Sequence, residues 1–243
     1  MIEVHFHCLP GLDDGPETWE ESVALCRAAV ADGAQQIVAT PHVLRDRWIN
    51  DDAVLRGELL ARLNRLLGGT PEVLPGCEYW YGSDMLELLE KGASSPLTRL
   101  NGSCYLLVEF APGYVPPNTE AMLHEVLLLG VTPVIAHPER NRVLGSEPQK
   151  LGRLVEMGAV VQVTAGSITG EFGKWSRGVA DELFRAGLVH VVASDAHDVT
   201  RRPPRLTQAR EIVRKQWGAE AEDGLFEANP RAIVANQELP WRG

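Results

Sequence analysis

The sequence has few cysteines, and their spacing matches no common metal or redox motif. The four are scattered as Cys8, Cys26, Cys77 and Cys104 without a C-x-x-C pair, which disfavours a zinc ribbon and a thioredoxin motif. No arginine stands six positions after any of them, so the C-x5-R loop of phosphatases with a cysteine nucleophile is absent. We expect reduced, packed thiols.

The sequence also lacks an excess of positive charge and any long apolar run. Lys and Arg total 23 against 33 Asp and Glu, which gives a formal net charge of -10 and a pI near 5.2. A basic surface is hard to assemble at this balance, so we expect no nucleic-acid partner and no membrane insertion. The chain opens without a basic segment followed by an apolar run, and no stretch approaches the roughly 18 apolar residues of a membrane span, which together predict a cytoplasmic protein.

The length and composition of the chain are typical of one globular domain. The chain has 243 residues, of which 44% are hydrophobic and 23% charged, so it can bury a large core. Because α/β barrels commonly use this length for a single domain, we predict one domain over residues 1–243.

Short apolar stretches alternate with amphipathic helical stretches about seven times, without Gly/Ser linkers. The predicted helices cover residues 18–31, 51–67, 84–91, 118–129, 147–157 and 174–186. The predicted strands cover residues 2–7, 37–40, 73–77, 105–108, 131–136, 159–163 and 189–193, with Pro75 favouring an edge position for the third. This alternation predicts a parallel α/β architecture, either an open doubly wound sheet or a TIM-like (β/α)7 barrel.

The opening strand carries two histidines on one face. In MIEVHFH the apolar residues alternate with His5 and His7, and side chains two apart in a strand point the same way. The loop that follows adds the oxygen donors Asp13 and Asp14. A two-histidine claw of this kind suits a metal, although an isolated His-x-His also fits a buried strand with hydrogen-bonded histidines.

Other predicted strands end in the same residue types. A single histidine there is more often a core residue than a ligand, but six of the seven strands end in His, Asp or Glu, which predicts a polynuclear metal site. Convergence of strand ends on one point favours the barrel over the open sheet. Imidazole and carboxylate ligands without thiolate suit Mn, Fe or Zn. The candidates are His5, His7, Asp14, His42, Glu78, Glu109, His137, Asp195 and His197.

Motifs along the whole chain carry a family resemblance. The stretches MIEVHFH, DDGPET, ATPH, GCEYW, VEF, AHPER, SDAH and RRPP resemble, in order, the polymerase and histidinol phosphatase (PHP) superfamily. Within it, the chain resembles the bacterial manganese-dependent protein tyrosine phosphatases that act on the tyrosine kinases of capsule and exopolysaccharide synthesis. The resemblance implies a distorted seven-stranded barrel that binds three divalent metal ions, with Mn²⁺ expected and Fe or Zn as alternatives.

The resemblance also distributes nine residues among the three metals. The first metal would be held by His5, His7, Glu78 and Asp195, the second by Glu78 as a bridge with Glu109 and His137, and the third by Asp14, His42 and His197. The preference for Asp14 over Asp13 comes only from alignment to the family pattern, and the alternative for Asp13 is a loop-capping role.

Two arginines are placed to contact a phosphate. Arg140 follows a strand-end histidine and Arg202 lies just beyond Asp195-x-His197, so both can offer planar bidentate contacts, and the alternative for each is a solvated surface arginine. Clustered divalent cations lower the pKa of a bound water toward about 7, so no protein nucleophile is needed.

The sequence shows no obvious general acid, which fits a phenol leaving group with a pKa near 10. Asp198 and Glu139 could donate a proton, but solvated loop charge is the favoured interpretation. A further four aromatic residues follow strand ends and either border a substrate ring or pack around the rim: Tyr79, Trp80, Phe110 and Tyr114.

The leading hypothesis is a metal-dependent tyrosine phosphatase acting on the phosphotyrosine-rich tail of a bacterial kinase. A small-molecule phosphatase of the histidinol phosphate type is the first alternative, disfavoured because no acidic pocket wall for its cationic amine can be placed. A non-catalytic kinase-docking module is the second, disfavoured because such a module has no chemical need for all nine ligands.

Overall fold

Nine parallel β-strands and eleven α-helices alternate along residues 1–242, the part of the chain that this computed structural model describes. The strands are β1 Ile2–Phe6, β2 Gln36–Ala39, β3 His42–Val43, β4 Glu72–Pro75, β5 Glu78–Trp80, β6 Tyr105–Glu109, β7 Thr132–Ala136, β8 Val160–Thr164 and β9 Val191–Ala193. The helices are α1 Trp19–Ala31, α2 Ala53–Leu67, α3 Met85–Glu90, α4 Thr119–Leu128, α5 Arg142–Ser146, α6 Pro148–Glu156, α7 Ala165–Thr169, α8 Gly173–Arg185, α9 Leu206–Trp217, α10 Ala219–Asp223 and α11 Asn229–Val234. A 3₁₀ turn, Pro138–Arg140, follows β7.

The strands form two sheets, ordered β1-β2-β4 and β3-β5-β6-β7-β8-β9. Only two residues separate β2 from β3, and only two separate β4 from β5, so each pair is one interrupted pass of the chain. Counted in this way, the fold has seven parallel passes. The interrupted passes keep their pairing, because β2 pairs with β4 and β3 pairs with β5, where His42 lies opposite Glu78.

Backbone hydrogen bonds connect the last pass to the first. The His7 N–H donates to the Ala196 carbonyl at 3.0 Å, and the Asp195 N–H donates to the His5 carbonyl at 3.1 Å. A parallel bridge pairs Phe6 with Ala196. The predicted distorted seven-fold β/α barrel is therefore confirmed, with its distortion concentrated at the two interrupted passes and at this seam.

Apolar side chains from every pass fill the space between the strands. This interior cluster is closed at one end by Ala232 and Ile233 of α11. A second, larger cluster packs the other faces of β6 to β9 against the helices. The strand residues of the interior cluster are Ile2, Val4, Val38, Leu74, Tyr105, Leu107, Val134, Ala136, Val160, Val191 and Ala193.

A register shift between Glu3 and Phe6 breaks the simple alternation expected for β1. Ile2 and Val4 belong to the interior cluster, whereas Phe6 packs with α1 residues in a separate cluster. His5 and His7 nevertheless face the same point, with their Nε2 atoms 3.2 Å apart. The predicted two-histidine claw therefore forms through a register shift in β1 that the alternation of residues in the sequence does not indicate.

Capping residues set the boundaries of α1 and α2. Thr18 and Glu21 form a capping box at α1, and Asp52 accepts a hydrogen bond from Leu55 N–H at the start of α2. Gly68 ends α2 with φ 68°, a conformation that glycine adopts without strain. Pro75 ends β4 at the edge of the three-stranded sheet, as predicted.

Three other features of the helical regions are not evident from the sequence pattern. Asn229, the first residue of α11, does not cap the helix; its buried side chain donates to the His190 and Trp241 carbonyls and accepts from Trp241 N–H. Arg56 of α2 is buried and donates to the Pro96 carbonyl and the Thr98 hydroxyl. The short helices α5 and α7 were not predicted, because five residues are too few to show a helical period.

Among residues 1–242, none of the helices combines the length and apolar character needed to cross a lipid bilayer.

Candidate metal centre

All nine predicted ligands lie together: seven lie at or beyond the carboxyl end of a strand, whereas His42 and Glu78 begin β3 and β5, the second segments of the interrupted passes. Their donor atoms form four overlapping groups, within each of which the atoms lie no more than 4.8 Å apart. Every member except Asp14 is buried. The groups are His5, His7 and Glu78; His5, His137 and Asp195; His42, Glu78 and Glu109; and His7, Asp14, His42 and His197. The geometry therefore suits the predicted site, while the role of each residue as a ligand remains a prediction.

The histidine claw of β1 faces two carboxylates. His5 Nε2 lies 3.3 Å from Glu78 Oε2 and 3.2 Å from Asp195 Oδ1. His7 Nε2 lies 3.3 Å and 3.4 Å from the same two atoms. Two nitrogens and two oxygens thus surround one point, and they belong to the four residues predicted for the first metal.

Two further residues fix the claw from behind. Gln162 Oε1 lies 2.8 Å from His5 Nδ1, and Asp13 Oδ2 lies 2.7 Å from His7 Nδ1. Partners of this kind set the tautomer and orientation of a metal-binding histidine, here directing Nε2 to the centre. Residues 159–163 are the one predicted strand that does not end in His, Asp or Glu, and this strand contributes Gln162 as a supporting residue. Its only sequence signal is one polar residue inside an apolar run.

Asp13 and Asp14 lie in different surroundings, and the preference for Asp14 as the ligand stays a prediction. Asp13, with 1% of its side chain exposed, also accepts hydrogen bonds from His42 N–H and Gly15 N–H, both at 3.0 Å. It therefore caps the loop as well as supporting His7. Asp14 instead reaches the centre, where its Oδ1 lies 3.4 Å from His42 Nε2 and 3.2 Å from His197 Nε2. These are the three residues predicted for the third metal.

Glu78 has the geometry of a bridging carboxylate. Its Oε1 lies 3.0 Å from His137 Nε2, while its Oε2 faces His5 and His7 and lies 2.8 Å from His42 Nδ1. Glu109 completes this side, with Oε1 3.8 Å from His137 Nε2. One carboxylate therefore connects the residues predicted for the first and second metals.

Several donor atoms at the centre are buried without a hydrogen-bond partner among residues 1–242. Native proteins leave few buried polar atoms unpaired. Gln162 Nε2, Arg45 Nε and Arg202 Nε are unpaired here too, and four of the atoms belong to predicted ligands: Glu78 Oε2, Glu109 Oε2, Asp195 Oδ1 and His197 Nε2. Bound cations would satisfy these atoms, so the residues present fit a metal centre.

Backbone strain occurs at two of the predicted ligands. His137 has φ 32° and Asp195 has φ 53°, in the left-handed region that residues with a side chain rarely adopt. Strain of this kind is typical of functional sites, where the surrounding structure holds it in place.

The charges at the centre favour cations. Burial opposes ionisation of Glu78 and Asp195, but the facing histidines, together with Arg202 for Asp195, hold the pKa of both carboxyls well below the usual range. Burial and the nearby Glu78 raise the pKa of Glu109 to about 8. For His42, burial is outweighed by Glu78 and Asp14, which raise its pKa to about 9. This negative potential draws protons or metal ions to the same place.

Two histidines of the centre stay neutral at pH 7. Burial, with Arg140 nearby, lowers the pKa of His137 to about 4. Burial, with His7 nearby, lowers the pKa of His197 to about 4. Neutral imidazole is the form that binds metals.

Arg140 and Arg202 meet at one carboxylate oxygen. Arg140 Nη1 lies 2.5 Å and Arg202 Nη2 lies 2.7 Å from Asp195 Oδ2. The Arg140 guanidinium is also over the ring of Phe172, 4.7 Å from its centroid. Their side chains are 29% and 25% exposed, so neither is a fully solvated surface arginine. Their contact with a phosphate remains a prediction that this placement suits.

The two candidate proton donors have other roles. Glu139 is fully buried, and its Oε1 accepts hydrogen bonds from Thr164 N–H at 3.0 Å and the Ser167 hydroxyl at 2.7 Å, so its interpretation as a solvated charge was wrong. Asp198 is partly buried, which opposes ionisation, but bonds from Arg201 N–H and Thr200 lower its pKa to about 2. An ionised Asp198 has no proton to give at neutral pH.

The predicted rim aromatics separate into packing and accessible residues. Tyr79 and Phe110 are buried; the Tyr79 hydroxyl donates to Asp84, and Phe110 packs on Tyr81. Trp80 is half-buried and Tyr114 is exposed. The packing interpretation therefore holds for the first two.

Besides Gln162, sequence reasoning missed two residues at the centre. Arg45 Nη1 lies 2.9 Å from Glu109 Oε2, and the Trp48 ring stacks on His42 with centroids 5.3 Å apart. The only signal was their position in the loop after a strand-end histidine, a segment that carried no further motif.

A parallel β/α barrel with a histidine and carboxylate centre at its carboxyl face is typical of metal-dependent enzymes. Sequence comparison identifies the family: the model for the capsular polysaccharide synthesis family CpsB/CapC matches residues 1–235, and the chain belongs to this family.

Curated relatives and a solved structure agree with this assignment. Tyrosine-protein phosphatase YwqE of Bacillus subtilis (strain 168) is 39% identical over 243 residues, covering 98% of this chain and 93% of YwqE. The putative tyrosine-protein phosphatase CapC of Staphylococcus aureus is 33% identical, with the same coverage of 98% and 93%. A crystallographic study of YwqE and of CpsB from Streptococcus pneumoniae, described as unique metal-dependent tyrosine phosphatases, contains a chain that matches with TM-score 0.93 and 37% identity, covering 98% of this chain and 96% of the other. The family predicted from the motifs is confirmed.

Proposed function

We propose that this protein is a metal-dependent protein tyrosine phosphatase that hydrolyses phosphotyrosine on a bacterial tyrosine kinase of capsule or exopolysaccharide synthesis. One observation carries the proposal: nine histidine and carboxylate side chains, of the types that bind metals, converge at a barrel mouth that arginines border. Membership of the CpsB/CapC family and relatives named tyrosine-protein phosphatases support the substrate class.

Three divalent cations, with Mn²⁺ as the expected ion and Fe or Zn as alternatives, would be held by the nine residues. The first would bind His5, His7, Glu78 and Asp195; the second Glu78, Glu109 and His137; and the third Asp14, His42 and His197. Bound cations of this type lower the pKa of water toward about 7 and neutralise phosphoryl oxygens.

The chain itself supplies orientation and charge. Arg140 and Arg202, which share Asp195 Oδ2, would hold the phosphoryl oxygens of the substrate through planar bidentate contacts. Asp13 and Gln162 keep the two β1 imidazoles directed at the centre. Neither Asp198 nor Glu139 is placed as a proton donor, and this suits a phenol, which leaves with less protonation than an alcohol.

A metal-by-substrate activity matrix tests the proposal. The purified protein is stripped of metal, its metal content is checked by elemental analysis, and it is reloaded with Mn²⁺, Fe²⁺ or Zn²⁺. We expect hydrolysis of phosphotyrosyl peptides above phosphoseryl peptides and histidinol phosphate, highest with Mn²⁺. Preference for histidinol phosphate would establish the small-molecule alternative. Binding of a kinase tail by the metal-loaded protein without turnover would establish the docking alternative.

The partner, location and domain organisation are part of the same proposal. The substrate would be the phosphotyrosine-containing tail of the kinase, the location would be the cytoplasm, and residues 1–243 would act as one domain. Dephosphorylation of a co-expressed kinase and cell fractionation test the first two, and cooperative unfolding followed by two probes tests the third.

A further inference from the structure

The loop after β3 is folded tightly over the metal centre. Arg45 and Trp48 pair in an antiparallel bridge, with Trp48 N–H donating to the Arg45 carbonyl at 2.7 Å. Leu44 has φ 58° and Asp46 has φ 44°, so the backbone on both sides of Arg45 is left-handed. The Asn50 side chain ties the loop down by donating to the Leu12 and His42 carbonyls, both at 2.8 Å. The position of Arg45 is therefore set by the fold of the loop.

The Arg45 guanidinium is held between two indole rings. Its Cζ lies 4.9 Å from the Trp80 ring centroid and 5.6 Å from that of Trp48. Nη1 reaches Glu109 Oε2 at 2.9 Å and lies 2.6 Å from His42 Nε2. Nε is buried without a hydrogen-bond partner in the described part of the chain. Arg47, two residues further on, is exposed and covers only the Trp48 ring.

The three arginines lie at two ends of one chain of contacts. Arg140 and Arg202 contact Asp195, which faces Glu78 across the β1 histidines. At the other end Arg45 contacts Glu109 and His42, and His42 Nδ1 lies 2.8 Å from Glu78 Oε2. Along this chain of contacts, arginine donors therefore lie on both sides of the Glu78 carboxylate.

We propose that Arg45 is a third phosphate-contacting arginine, which binds the phosphoryl group of the substrate from the Glu109 side. This inference rests on the proposed function and adds to it a residue that determines substrate binding. Cations bound to His42 and Glu109 would replace the contacts that Nη1 now makes with these two side chains, and phosphoryl oxygens are acceptors that match the planar guanidinium. Stacking on Trp48 and Trp80 limits the motion of the side chain, so little entropy is lost when it binds.

Inhibition by inorganic phosphate measures this contact directly. In the Mn²⁺-loaded protein, Arg45→Ala should raise the competitive inhibition constant for phosphate about tenfold and lower kcat/KM for a phosphotyrosyl peptide about 10- to 100-fold, as expected for loss of a charged hydrogen bond. Arg45→Lys keeps the positive charge but lacks the planar guanidinium, so its inhibition constant for phosphate and its kcat/KM should lie between those of the wild type and Arg45→Ala. Arg47→Ala, the matched control, should leave both constants unchanged.

Metal content and thermal unfolding are recorded for each variant. A wild-type inhibition constant in Arg45→Ala overturns the inference. So does a loss of bound metal that accounts for the lost activity, because Arg45 would then act on the metal ligands and not on phosphate. If the wild-type protein binds phosphate but hydrolyses no phosphotyrosine, the proposed function fails, and calorimetric phosphate binding by wild type and Arg45→Ala still decides the role of Arg45.

Discussion

Asp13 Oδ2 lies 2.7 Å from His7 Nδ1, so the carboxylate next to the predicted ligand Asp14 fixes the ring of another predicted ligand. His7 Nδ1 is thereby engaged, and only Nε2 is free to face the centre. The exposed fractions of the two side chains, 1% for Asp13 and 38% for Asp14, agree with these different positions.

Asp13→Asn should therefore weaken metal binding without removing a ligand. We expect metal affinity to fall about 10- to 100-fold, the usual effect of losing a partner that orients a metal-binding histidine, with kcat largely recovered at saturating Mn²⁺. Asp14→Asn, which removes a predicted ligand, should not be rescued in this way. Titration calorimetry and activity as a function of Mn²⁺ concentration measure both. Equal rescue of the two variants would contradict the assignment of Asp14.

His137→Ala should abolish turnover and leave the fold largely intact. The residue lies at the open end of the barrel and its Nε2 faces Glu78 and Glu109, so its loss removes a predicted ligand and no core contact of comparable size. The drop in kcat should exceed the roughly 100-fold effect of residues that only support a ligand. His124→Ala on the exposed face of α4 is a matched control and should be neutral. Near-wild-type turnover of His137→Ala would refute the metal assignment.

The sequence predicts the ends of the strands better than the loops that leave them. Predicted ligands such as Glu109 and His137, which end or follow a strand, can be identified because parallel strands bring their carboxyl ends to one face whatever the details of packing. Helix caps such as Thr18 are readable because they act within one turn. The strand-end signal follows from the topology of the fold alone, and the helix-cap signal is local in sequence.

Residues whose role depends on contacts between distant segments could not be predicted. Arg45 reaches the centre only because Leu44 and Asp46 adopt left-handed backbone, and no glycine signals that turn. Glu139 is buried because the start of α7 approaches the Pro138–Arg140 turn and supplies two donors. Gln162 supports His5 across 157 residues of sequence. Each of these contacts requires the folded barrel to be known first.

Glu139 should act as a positioning residue for Arg140. Its Oε1 ties the Pro138–Arg140 turn to Thr164 N–H and to the Ser167 hydroxyl. Glu139→Ala frees the turn and leaves a buried N–H unpaired, so we expect the free energy of unfolding to fall by about 1 to 3 kcal/mol. Because Arg140 is then poorly oriented, KM for a phosphotyrosyl peptide should also rise.

Ser167→Ala provides the comparison for Glu139→Ala, since it removes one of the two bonds and leaves the carboxylate in place. Its loss of stability should be about 1 kcal/mol, with KM close to wild type. Urea denaturation and steady-state kinetics separate the two effects. Unchanged KM in Glu139→Ala would restrict Glu139 to a structural role.

His190 should make the protein less stable as the pH falls from 6.5 towards 4. Burial lowers the pKa of His190 to about 4 from its ordinary value of 6.5, and its Nδ1 accepts a hydrogen bond from Val161 N–H. Between these two pH values the unfolded chain binds a proton that the folded chain does not, so the stabilisation is complete above pH 6.5 and declines as the pH falls to about 4. At pH 5 the loss amounts to about 2 kcal/mol.

His190→Asn keeps an acceptor near Val161 N–H but does not titrate, so the difference in unfolding free energy between pH 7.5 and pH 5 should shrink by that amount. Urea denaturation of the metal-free protein measures it, with the exposed His124→Asn as control, and the pH-dependence of the metal-site residues cancels because it is common to all three proteins. An undiminished difference in His190→Asn would show that protonation of His190 does not govern stability in this pH range.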